Sequence, residues 1–257
     1  MKKNSKLVYA GIIPARYASS RLPGKPLALI GNKTMIQRVY EQARKSLDTV
    51  YVATDDERIY DEVLRFGGKA VMTSSSHLSG TDRCAEAAVI ITGATGTPVD
   101  VVINIQGDEP FIHPQQIDLI RDCFIDSKVK IATLVRKAQT EEEIFNPGEA
   151  KVILNKEDDA IYFSRAVIPY LRGAEKSEWI KRHVYYTHVG LYGYRINTLK
   201  KITRLAPSPL EISESLEQNR WIENGLRIRA ILTTLESMCI ETPDDLEKAR
   251  TFLEHYI

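Results

Sequence analysis

The sequence predicts an α/β protein built on a mostly parallel, doubly wound sheet. Short apolar runs suited to buried strands recur along the first half of the chain, and segments with a helical apolar stripe separate them. A repeated strand, helix, strand order brings parallel strands together with helices on both faces of the sheet. With 257 residues, 43% of them hydrophobic, the chain is long enough for one large domain with a continuous core.

The first half of the chain supplies the main elements of this sheet. Strands are predicted at residues 7–13, 49–53, 69–72, 99–105 and 130–135. A helical stripe between the first two strands consists of Met35, Ile36, Val39, Tyr40, Ala43 and Leu47. A second stripe, after a turn at Asp55 and Asp56, consists of Ile59, Val63, Leu64 and Phe66. Because ligands of such sheets bind at the carboxyl ends of the strands, the loops that follow these strands are expected to carry the chemistry.

The second half of the chain has a different pattern. Strands rich in Tyr, Val and Ile are predicted at residues 151–154, 160–163 and 184–194, and they indicate a smaller inserted or appended sheet. A helix near residues 211–224, a strand at 227–232 and a closing helix at 245–255 return the chain to the main layer. The smaller sheet could provide acceptor specificity, a dimer surface, or both.

Composition excludes some classes of function. Lys and Arg number 35 against 34 Asp and Glu, and no long basic run offers a track for a nucleic-acid backbone, so nucleic acid is not expected as a partner. The apolar run at residues 7–13 is too short to span a membrane and has no signal-peptide cleavage pattern, which predicts a cytoplasmic protein. Cys84, Cys123 and Cys239 have neither pairing nor metal-ligand spacing and are interpreted as small apolar packing residues.

The strongest local motif is IIPARYASSRLPGKPL, residues 12–27, directly after the first predicted strand. Arg16, Arg21 and Lys25 place three cations in one short loop, and Gly24 lets backbone amides approach an anion. Each charge-assisted hydrogen bond contributes roughly 1.5 to 3 kcal/mol, so three of them could hold a triphosphate. A solvated surface turn is the alternative, but two prolines and a glycine stiffen this loop more than a surface connection requires.

Two further motifs lie at predicted strand ends or helix starts. QGDEP, residues 106–110, places Asp108 at the carboxyl edge of the sheet, where a carboxylate suits Mg²⁺, although a plain turn explains the motif if it is taken alone. SGTDR, residues 79–83, opens a helix whose amide-rich end could meet a base or a phosphate. Taken alone, this motif is more often an ordinary capped helix start.

Together, these motifs resemble those of the sugar-acid cytidylyltransferases, and in particular the enzymes that act on 3-deoxy-manno-octulosonate (Kdo). Further collinear blocks carry the resemblance along nearly the whole chain: FNPGEAKVILN (145–155), YFSRAVIPY (162–170), HVGLYGYR (188–195), PSPLE (207–211), LEQ (216–218) and ETPDDLEKAR (241–250). The resemblance implies a fold of the nucleotide-diphospho-sugar transferase type. It also implies CTP and Kdo as substrates, CMP-Kdo for lipopolysaccharide and pyrophosphate as products, Mg²⁺ as cofactor, and a homodimer.

The resemblance also implies residue roles. Residues 1–140 and 225–257 would be the mainly nucleotide-binding part of a single domain, and residues 150–224 a lobe for the sugar and for dimerisation. The implied nucleotide-binding residues are Ala15, Arg16, Arg21, Lys25, Ser79, Arg83 and Gln106, with Lys25, Arg16 and Asp108 acting in catalysis. The implied sugar-binding residues are Arg165, Arg172, His188, Tyr192, Glu217 and Gln218. Arginines and a histidine can meet the carboxylate of a sugar acid, while Glu and Gln share protons with its hydroxyls.

Some of these roles have structural alternatives. A lone histidine in an alternating strand, such as His188, is more often structural. Tyr192 and Tyr194 share a strand face, so a core or dimer stripe explains Tyr192 equally well. Glu214, three residues before Glu217, is interpreted as a solvated helix neighbour.

The second implied metal ligand departs from the family pattern. Where the family has an aspartate before Thr242-Pro243, this chain has Glu241. An extra methylene moves the carboxylate by roughly 1.5 Å, whereas Mg²⁺ requires ligands at about 2.0 to 2.1 Å. The resemblance still implies Asp108 and Glu241 as the metal ligands, with Glu241 binding after a small backbone shift or through water.

Two rival functions stay open at this point. The chain could be a cytidylyltransferase for another acid, such as sialic acid or amino-Kdo, because acceptor pockets vary within the family. It could also be a nucleotide-binding protein that has lost its chemistry through the Glu241 change. The predicted transferase activity requires that the cationic turn, the loop with Arg16, Arg21 and Lys25, and a divalent ion held by Asp108 converge on the same nucleotide.

Overall fold

The computed structural model describes residues 7–18 and 21–256 of the chain. The strands in this part are β1 Tyr9–Ala15, β2 Leu29–Ile30, β3 Lys33–Thr34, β4 Val50–Thr54, β5 Ala70–Met72, β6 Val101–Asn104, β7 Ile131–Lys137, β8 Lys151–Leu154, β9 Ala160–Ser164, β10 Tyr186–Arg195 and β11 Ile228–Leu232. The α-helices are α1 Met35–Arg44, α2 Glu57–Arg65, α3 Gly80–Thr95, α4 Pro114–Cys123, α5 Glu141–Phe145, α6 Trp179–Arg182, α7 Ile196–Ile202, α8 Pro209–Glu214, α9 Glu217–Glu223 and α10 Pro243–Tyr256. Short 3-10 helices cover Lys25–Leu27 and Lys176–Glu178.

Nine of these strands form one sheet. Its order is β11-β7-β10-β6-β1-β4-β5, and β8 pairs with β10 and with β9. The pairs β1 with β4, β1 with β6, β4 with β5, and β7 with β11 are parallel, while β10 runs antiparallel to its neighbours. The predicted α/β class with a mostly parallel sheet is therefore confirmed.

The later strands extend this sheet and do not form a second one. β10 lies between β6 and β7, and its first residues, Tyr186 and Thr187, also pair with β8. Because β10 is ten residues long, its first residues extend past the end of β6, where they pair with β7 on one side and with β8 of the β8–β9 hairpin on the other. A sequence pattern fixes which side chains alternate along a strand, but not which distant strand it joins.

Helices cover both faces of the sheet, as a doubly wound fold requires. On one face, α3, α7 and α9 contribute Cys84, Ile91, Leu199 and Trp221 to a core with the strands. On the other face, α1, α2 and α4 pack residues such as Ile36, Val39, Ile59, Val63 and Ile117 against the sheet. Burying one such aliphatic side chain contributes about 1.5 to 3 kcal/mol, so the sheet is a stable platform for the loops at its edge.

Element positions follow the sequence closely, with one clear difference. The five predicted main strands are all present, although β1 begins and ends two residues later than predicted. The single helix predicted near residues 211–224 is broken into α8 and α9, because Ser215 adopts a left-handed conformation with φ of 52°. That break leaves Glu214 at a helix end, where it bonds to β9.

The cysteines only partly match their interpretation as packing residues. All three are free thiols, and Cys84 is buried in the core, whereas Cys123 is half-buried and Cys239 is exposed. The interpretation is wrong for Cys239, because this residue is exposed. Within the described residues, no helix combines the length and apolar character needed to cross a bilayer.

Candidate active site

The cationic turn leaves the carboxyl end of β1 and folds back on itself. Gly24 takes a left-handed conformation with φ of 68°, which glycine adopts without strain, and it precedes the 3-10 helix that begins at Lys25. The Gly24 amide donates to the Tyr17 carbonyl at 3.1 Å, which closes the turn. Ser19 and Ser20 of the motif lie outside the described residues.

The turn borders a cleft of about 300 Å³ at the carboxyl edge of the sheet. Residues from two loops line it: Pro14, Ala15, Arg16, Ala18, Arg21, Lys25, Pro26, Gln106, Gly107 and Asp108. Six of the implied site residues therefore share one cleft: Ala15, Arg16, Arg21, Lys25, Gln106 and Asp108. Arg16 is exposed, so its guanidinium is open to solvent in the cleft.

The cationic turn and the QGDEP loop meet at an ion pair. The Nζ atom of Lys25 lies 2.5 Å from Oδ2 of Asp108, and the two side chains are only 17% and 22% exposed. Gly107 lets the QGDEP loop lie close to the end of β1, because a Cβ atom at this position would lie 2.9 Å from the Pro14 carbonyl oxygen. The convergence of Lys25 and Asp108 that the sequence predicts is thus confirmed.

A second ion pair lies beside the first. Arg21 donates to both carboxylate oxygens of Glu241, at 2.5 and 3.1 Å. The Ile240 amide donates to the Asp108 carbonyl at 2.9 Å, which places Glu241 next to the QGDEP loop. The two carboxylates expected to hold a metal thus each bind a cation of the turn. No group of three or more His, Cys, Asp or Glu side chains in the described part of the chain is arranged to hold a metal ion.

The SGTDR motif begins α3, and Ser79 is its N-cap. The Ser79 hydroxyl accepts from the Asp82 amide at 3.1 Å, so the capping role considered from the sequence is confirmed. Arg83 is fully buried: its guanidinium donates to Thr73 at 2.6 Å and to Asp55 at 3.0 Å. Since Asp55 and Thr73 follow β4 and β5, Arg83 ties α3 to two strand ends. A nucleotide contact of Ser79 or Arg83 stays a prediction.

The two arginines expected to bind the sugar carboxylate, Arg165 and Arg172, differ in how firmly they are held. Arg165 follows β9, and its guanidinium donates to the carbonyls of Glu214, at 2.7 Å, and Pro147, at 3.0 Å. Arg172 is exposed. Arg165 is therefore fixed in place, whereas Arg172 is a surface cation.

Glu214 organises the turn around Arg165. Its carboxylate accepts from the Tyr162 hydroxyl at 3.0 Å, the Ser164 hydroxyl at 2.6 Å and the Arg165 amide at 2.8 Å. Burial raises the pKa of Glu214, but these donors outweigh it and hold the pKa below its usual value. The interpretation of Glu214 as a solvated neighbour is wrong, because the helix break at Ser215 points its side chain at β9.

His188 and Tyr192 lie together on β10. The His188 ring bonds to the Thr133 hydroxyl at 2.9 Å and contacts the rings of Phe163 and Tyr192, both at 5.2 Å between centroids. Burial lowers the pKa of His188 to about 4, so the ring is neutral at pH 7. It can exchange hydrogen bonds with a sugar acid but brings no positive charge to it.

Glu217 and Gln218 start α9 next to α3. Glu217 accepts from the Thr81 hydroxyl at 2.7 Å and pairs with Arg220 at 2.8 Å. Burial raises the pKa of Glu217, while the Thr81 hydroxyl and Arg220 oppose that shift. The contact between Thr81 and Glu217 connects the SGTDR motif to the part of the chain expected to bind the sugar.

Several buried polar atoms near this contact have no hydrogen-bond partner. Among the described residues these include Asn104 Oδ1, the hydroxyls of Tyr192 and Tyr194, Gln218 Nε2 and Trp221 Nε1. The rings of Tyr192 and Tyr194 stack with 5.8 Å between their centroids, and both contact the Trp221 ring edge-on. The three residues form one aromatic cluster that carries two hydroxyls and an indole N–H. Such atoms cost free energy when they are left unpaired and therefore favour a polar ligand or ordered water.

Three residues of this region have no role assigned from the sequence. They are Glu214, Asn104 and Glu109, the last of which belongs to the quoted QGDEP motif. Glu109 is buried, and burial next to Asp108 raises the pKa of its carboxyl to about 7. Asn104 could have been identified from the sequence, because a polar amide residue inside an otherwise apolar strand is unusual.

Comparisons with known proteins show the family of the chain. The family model described as cytidylyltransferase matches residues 10–228. The chain is 55% identical over 249 residues to the 3-deoxy-manno-octulosonate cytidylyltransferase of Parabacteroides distasonis, covering 95% of this chain and 98% of the relative. The relative of the same name from Bacteroides thetaiotaomicron is 54% identical, covering 96% and 98%.

A solved structure matches the fold over nearly its full length. It is CMP:2-keto-3-deoxy-manno-octonic acid synthetase complexed with CTP, with a TM-score of 0.87 and 40% identity over 97% of this chain and 100% of that one. A putative glucose-1-phosphate thymidylyltransferase from Bacillus anthracis, at a TM-score of 0.63 and 18% identity, shares the fold alone. The chain belongs to the cytidylyltransferase family, among the 3-deoxy-manno-octulosonate cytidylyltransferases.

Proposed function

We propose that this enzyme transfers CMP from CTP to the anomeric hydroxyl of Kdo, giving CMP-Kdo and pyrophosphate. The observation that carries the proposal is the contact between Lys25 and Asp108 at the mouth of the cleft, because it puts a phosphate-binding cation and a metal-type carboxylate at one point. The names of the relatives and the CTP complex of the similar structure support the choice of substrates.

The triphosphate would lie along the cationic turn. Arg16 is exposed, and Arg21 is 62% exposed although it is paired, so both side chains can reorient towards an anion. Exposed ion pairs contribute little, about 0 to 1 kcal/mol, so phosphates can displace the Arg21–Glu241 pair at small cost. The phosphates would then take the place of the two carboxylates as partners of Arg21 and Lys25.

The base would lie near Ala15 and Gln106, at the ends of β1 and β6. Cytosine differs from uracil in its hydrogen-bond donors and acceptors, so a site shaped for the cytosine amino group leaves polar groups unpaired with UTP. A mismatch of this kind can cost several kcal/mol. Backbone groups and the Gln106 side chain are the proposed readers.

Magnesium fits the donor set of this cleft. Asp108 and Glu241 are hard oxygen ligands beside a site for phosphate oxygens, and Mg²⁺ commonly takes one or two carboxylates with phosphate and water as its other ligands. Both carboxylates would have to leave their cations to bind it. When bound, the ion would neutralise charge on the phosphate oxygens and favour ionisation of an attacking hydroxyl.

The chain's own contribution to the chemistry is positioning and charge. The anomeric oxygen of the sugar would attack the α-phosphorus in line as the bond to pyrophosphate breaks and the hydroxyl proton leaves to solvent. Lys25 would stabilise negative charge on the α-phosphate and on the leaving pyrophosphate, and Arg16 would assist it.

The sugar acid would bind between β10, α9 and the turn after β9. Its hydroxyls would satisfy the unpaired atoms of Tyr192, Gln218 and Asn104, and Glu217 would accept a further hydroxyl proton. Arg165 and Arg172 would bind its carboxylate, because His188 is neutral and brings no positive charge. Residues 150–224 would thus be the sugar-binding part of the single domain.

We also propose that the enzyme works as a cytoplasmic homodimer. Large apolar side chains are exposed on and near the β8–β9 hairpin, including Ile161, Tyr170 and Val184. Exposed apolar groups of this size favour contact with another protein surface. Light scattering at several concentrations would measure the mass, and a strictly monomeric enzyme would contradict the dimer.

The function is tested by pyrophosphate release from CTP, with and without Mg²⁺, in the presence of Kdo, amino-Kdo or sialic acid. We expect release with Kdo that depends on the divalent ion. Faster release with sialic acid would instead favour a different acceptor. CTP binding without release with any of these acids would favour the non-catalytic alternative.

A further inference from the structure

A stacked pair connects the cationic turn to a neighbouring helix. The guanidinium carbon of Arg58, on α2, lies 3.3 Å from the centre of the Tyr17 ring. Arg58 is itself held in place, because Nε and Nη2 donate to the two carboxylate oxygens of Asp56 at 2.9 and 2.7 Å. Asp56 is the N-cap of α2, so the stack has a rigid base.

Tyr17 and Gly24 lie opposite each other where the cationic turn closes, and these two residues form the neck of the turn. The Tyr17 carbonyl accepts from the Gly24 amide, and a Cβ atom at Gly24 would lie 3.2 to 3.3 Å from the Tyr17 ring. Residues 17 and 24 are therefore in close contact through backbone and ring. Arg16 directly precedes this neck and Lys25 directly follows it, so the neck sets the spacing of the two cations.

Neither Arg58 nor Tyr17 lines the cleft itself. Arg58 is 58% exposed and already bidentate with Asp56, and the stack is its contact with the turn. A guanidinium over an aromatic face restricts the ring without needing the tyrosine hydroxyl. The stack thus affects the turn through geometry and not through contact with a ligand.

We propose that Arg58 and Tyr17 are positioning residues that hold the neck of the cationic turn, so that Arg16 and Lys25 face the triphosphate together. This rests on the proposed function for the identity of the ligand. Loss of the stack leaves every cleft residue in the chain but widens the range of turn conformations. The nucleotide then binds more weakly, and sugar binding is unaffected.

α2 offers a matched control. Arg65 is exposed and bidentate with a carboxylate, Glu62, as Arg58 is with Asp56, but no aromatic ring among the described residues lies over its guanidinium. Arg65→Ala therefore removes an equivalent charge and ion pair from the same helix. Any effect of Arg58→Ala that Arg65→Ala shares is due to charge or helix stability.

The experiment measures CTP binding by calorimetry without sugar acid, KM values for CTP and Kdo, and melting temperature. We expect Arg58→Ala and Tyr17→Ala each to weaken CTP binding by about two- to fivefold, the effect of losing one cation–π contact. The double variant should be no worse than either single variant. Tyr17→Phe should bind as the parent does, Arg58→Lys should fall between, and KM for Kdo should not move.

Other results would overturn the proposal. These are equal losses in Arg65→Ala, additive losses in the double variant, a loss in Tyr17→Phe as large as in Tyr17→Ala, or an equal rise in KM for Kdo. Calorimetry with CTP alone keeps the test separate from the reaction. If no sugar acid supports pyrophosphate release, the proposed function fails while the binding comparison still decides the role of the stack.

Discussion

The two halves of the candidate site use opposite physical means. At the nucleotide end, Lys25 and Arg21 are charged, partly exposed and paired with Asp108 and Glu241. At the sugar end, the Tyr192 hydroxyl and Gln218 Nε2 are buried with no hydrogen-bond partner among the described residues, and His188 is neutral. The nucleotide end thus holds paired charges, whereas the sugar end holds buried polar atoms that a ligand can satisfy.

This difference indicates what each ligand must do. A triphosphate has to compete with internal carboxylates, which a high negative charge and an accompanying cation achieve. A sugar has to fill unmet hydrogen bonds, which a polyhydroxylated molecule of the right shape achieves. Variants can therefore separate the two ends by the parameter that changes.

The largest effect is expected at the ion pair between Lys25 and Asp108. Lys25→Ala and Asp108→Asn should each lower kcat roughly 10²- to 10³-fold, because each removes charge stabilisation of the transition state, with a smaller change in KM for Kdo. Lys33→Ala is the control. The Nζ atom of Lys33 lies 2.6 Å from Oε2 of Glu41, and this ion pair does not line the cleft. Unchanged turnover in either cleft variant would remove that residue from the mechanism.

The next effect is at the sugar end. Tyr192→Phe should raise KM for Kdo about three- to tenfold through loss of one hydrogen bond. It should change the free energy of unfolding little, because no described residue lies in hydrogen-bonding geometry to the hydroxyl. Tyr185→Phe is the contrast: its hydroxyl donates to Pro169, so stability should fall and KM should not change. Loss of stability in Tyr192→Phe without a change in KM would make Tyr192 a core residue only.

The neutral state of His188 predicts a pH dependence. Its folded pKa of about 4 lies below the ordinary 6.5, so the unfolded chain binds more protons between these values. The stabilisation from burying the neutral ring is complete above pH 6.5 and decreases as the pH falls towards 4. In urea unfolding, His188→Gln should lose the least stability relative to the parent at the acid end, and His183→Gln, at an exposed site, is the control for the substitution itself. A constant difference across this range would contradict a neutral His188.

The smallest effect concerns ionic strength. Raising salt from about 0.1 M to about 1 M shortens the screening length from about 10 Å to about 3 Å. KM for CTP should therefore rise severalfold, since exposed Arg16 and Arg21 provide much of its attraction. KM for Kdo should rise less, because hydrogen bonds in the buried pocket are screened little. An equal rise of both KM values with salt would show that the nucleotide and sugar ends depend equally on exposed charges.

Much of the nucleotide end could be predicted from the sequence, because its parts are local. Each motif directly follows a strand or begins a helix, and parallel strands bring their carboxyl ends to one edge, which is why Lys25 and Asp108 meet across 83 positions. The sugar end depends on non-local pairing. The place of β10 inside the main sheet and the helix break at Ser215 were not visible in the pattern, so the bonds of Glu214 and the neutral state of His188 were not either.

The central claim is that Lys25 and Asp108 act on one bound nucleotide. A double-mutant cycle of Lys25→Ala and Asp108→Asn, measured as kcat/KM for pyrophosphate release from CTP and Kdo, tests it directly. Strong coupling is predicted, with the double variant losing no more activity than the worse single variant. Losses that multiply would show that the two residues act independently, and would contradict the claim.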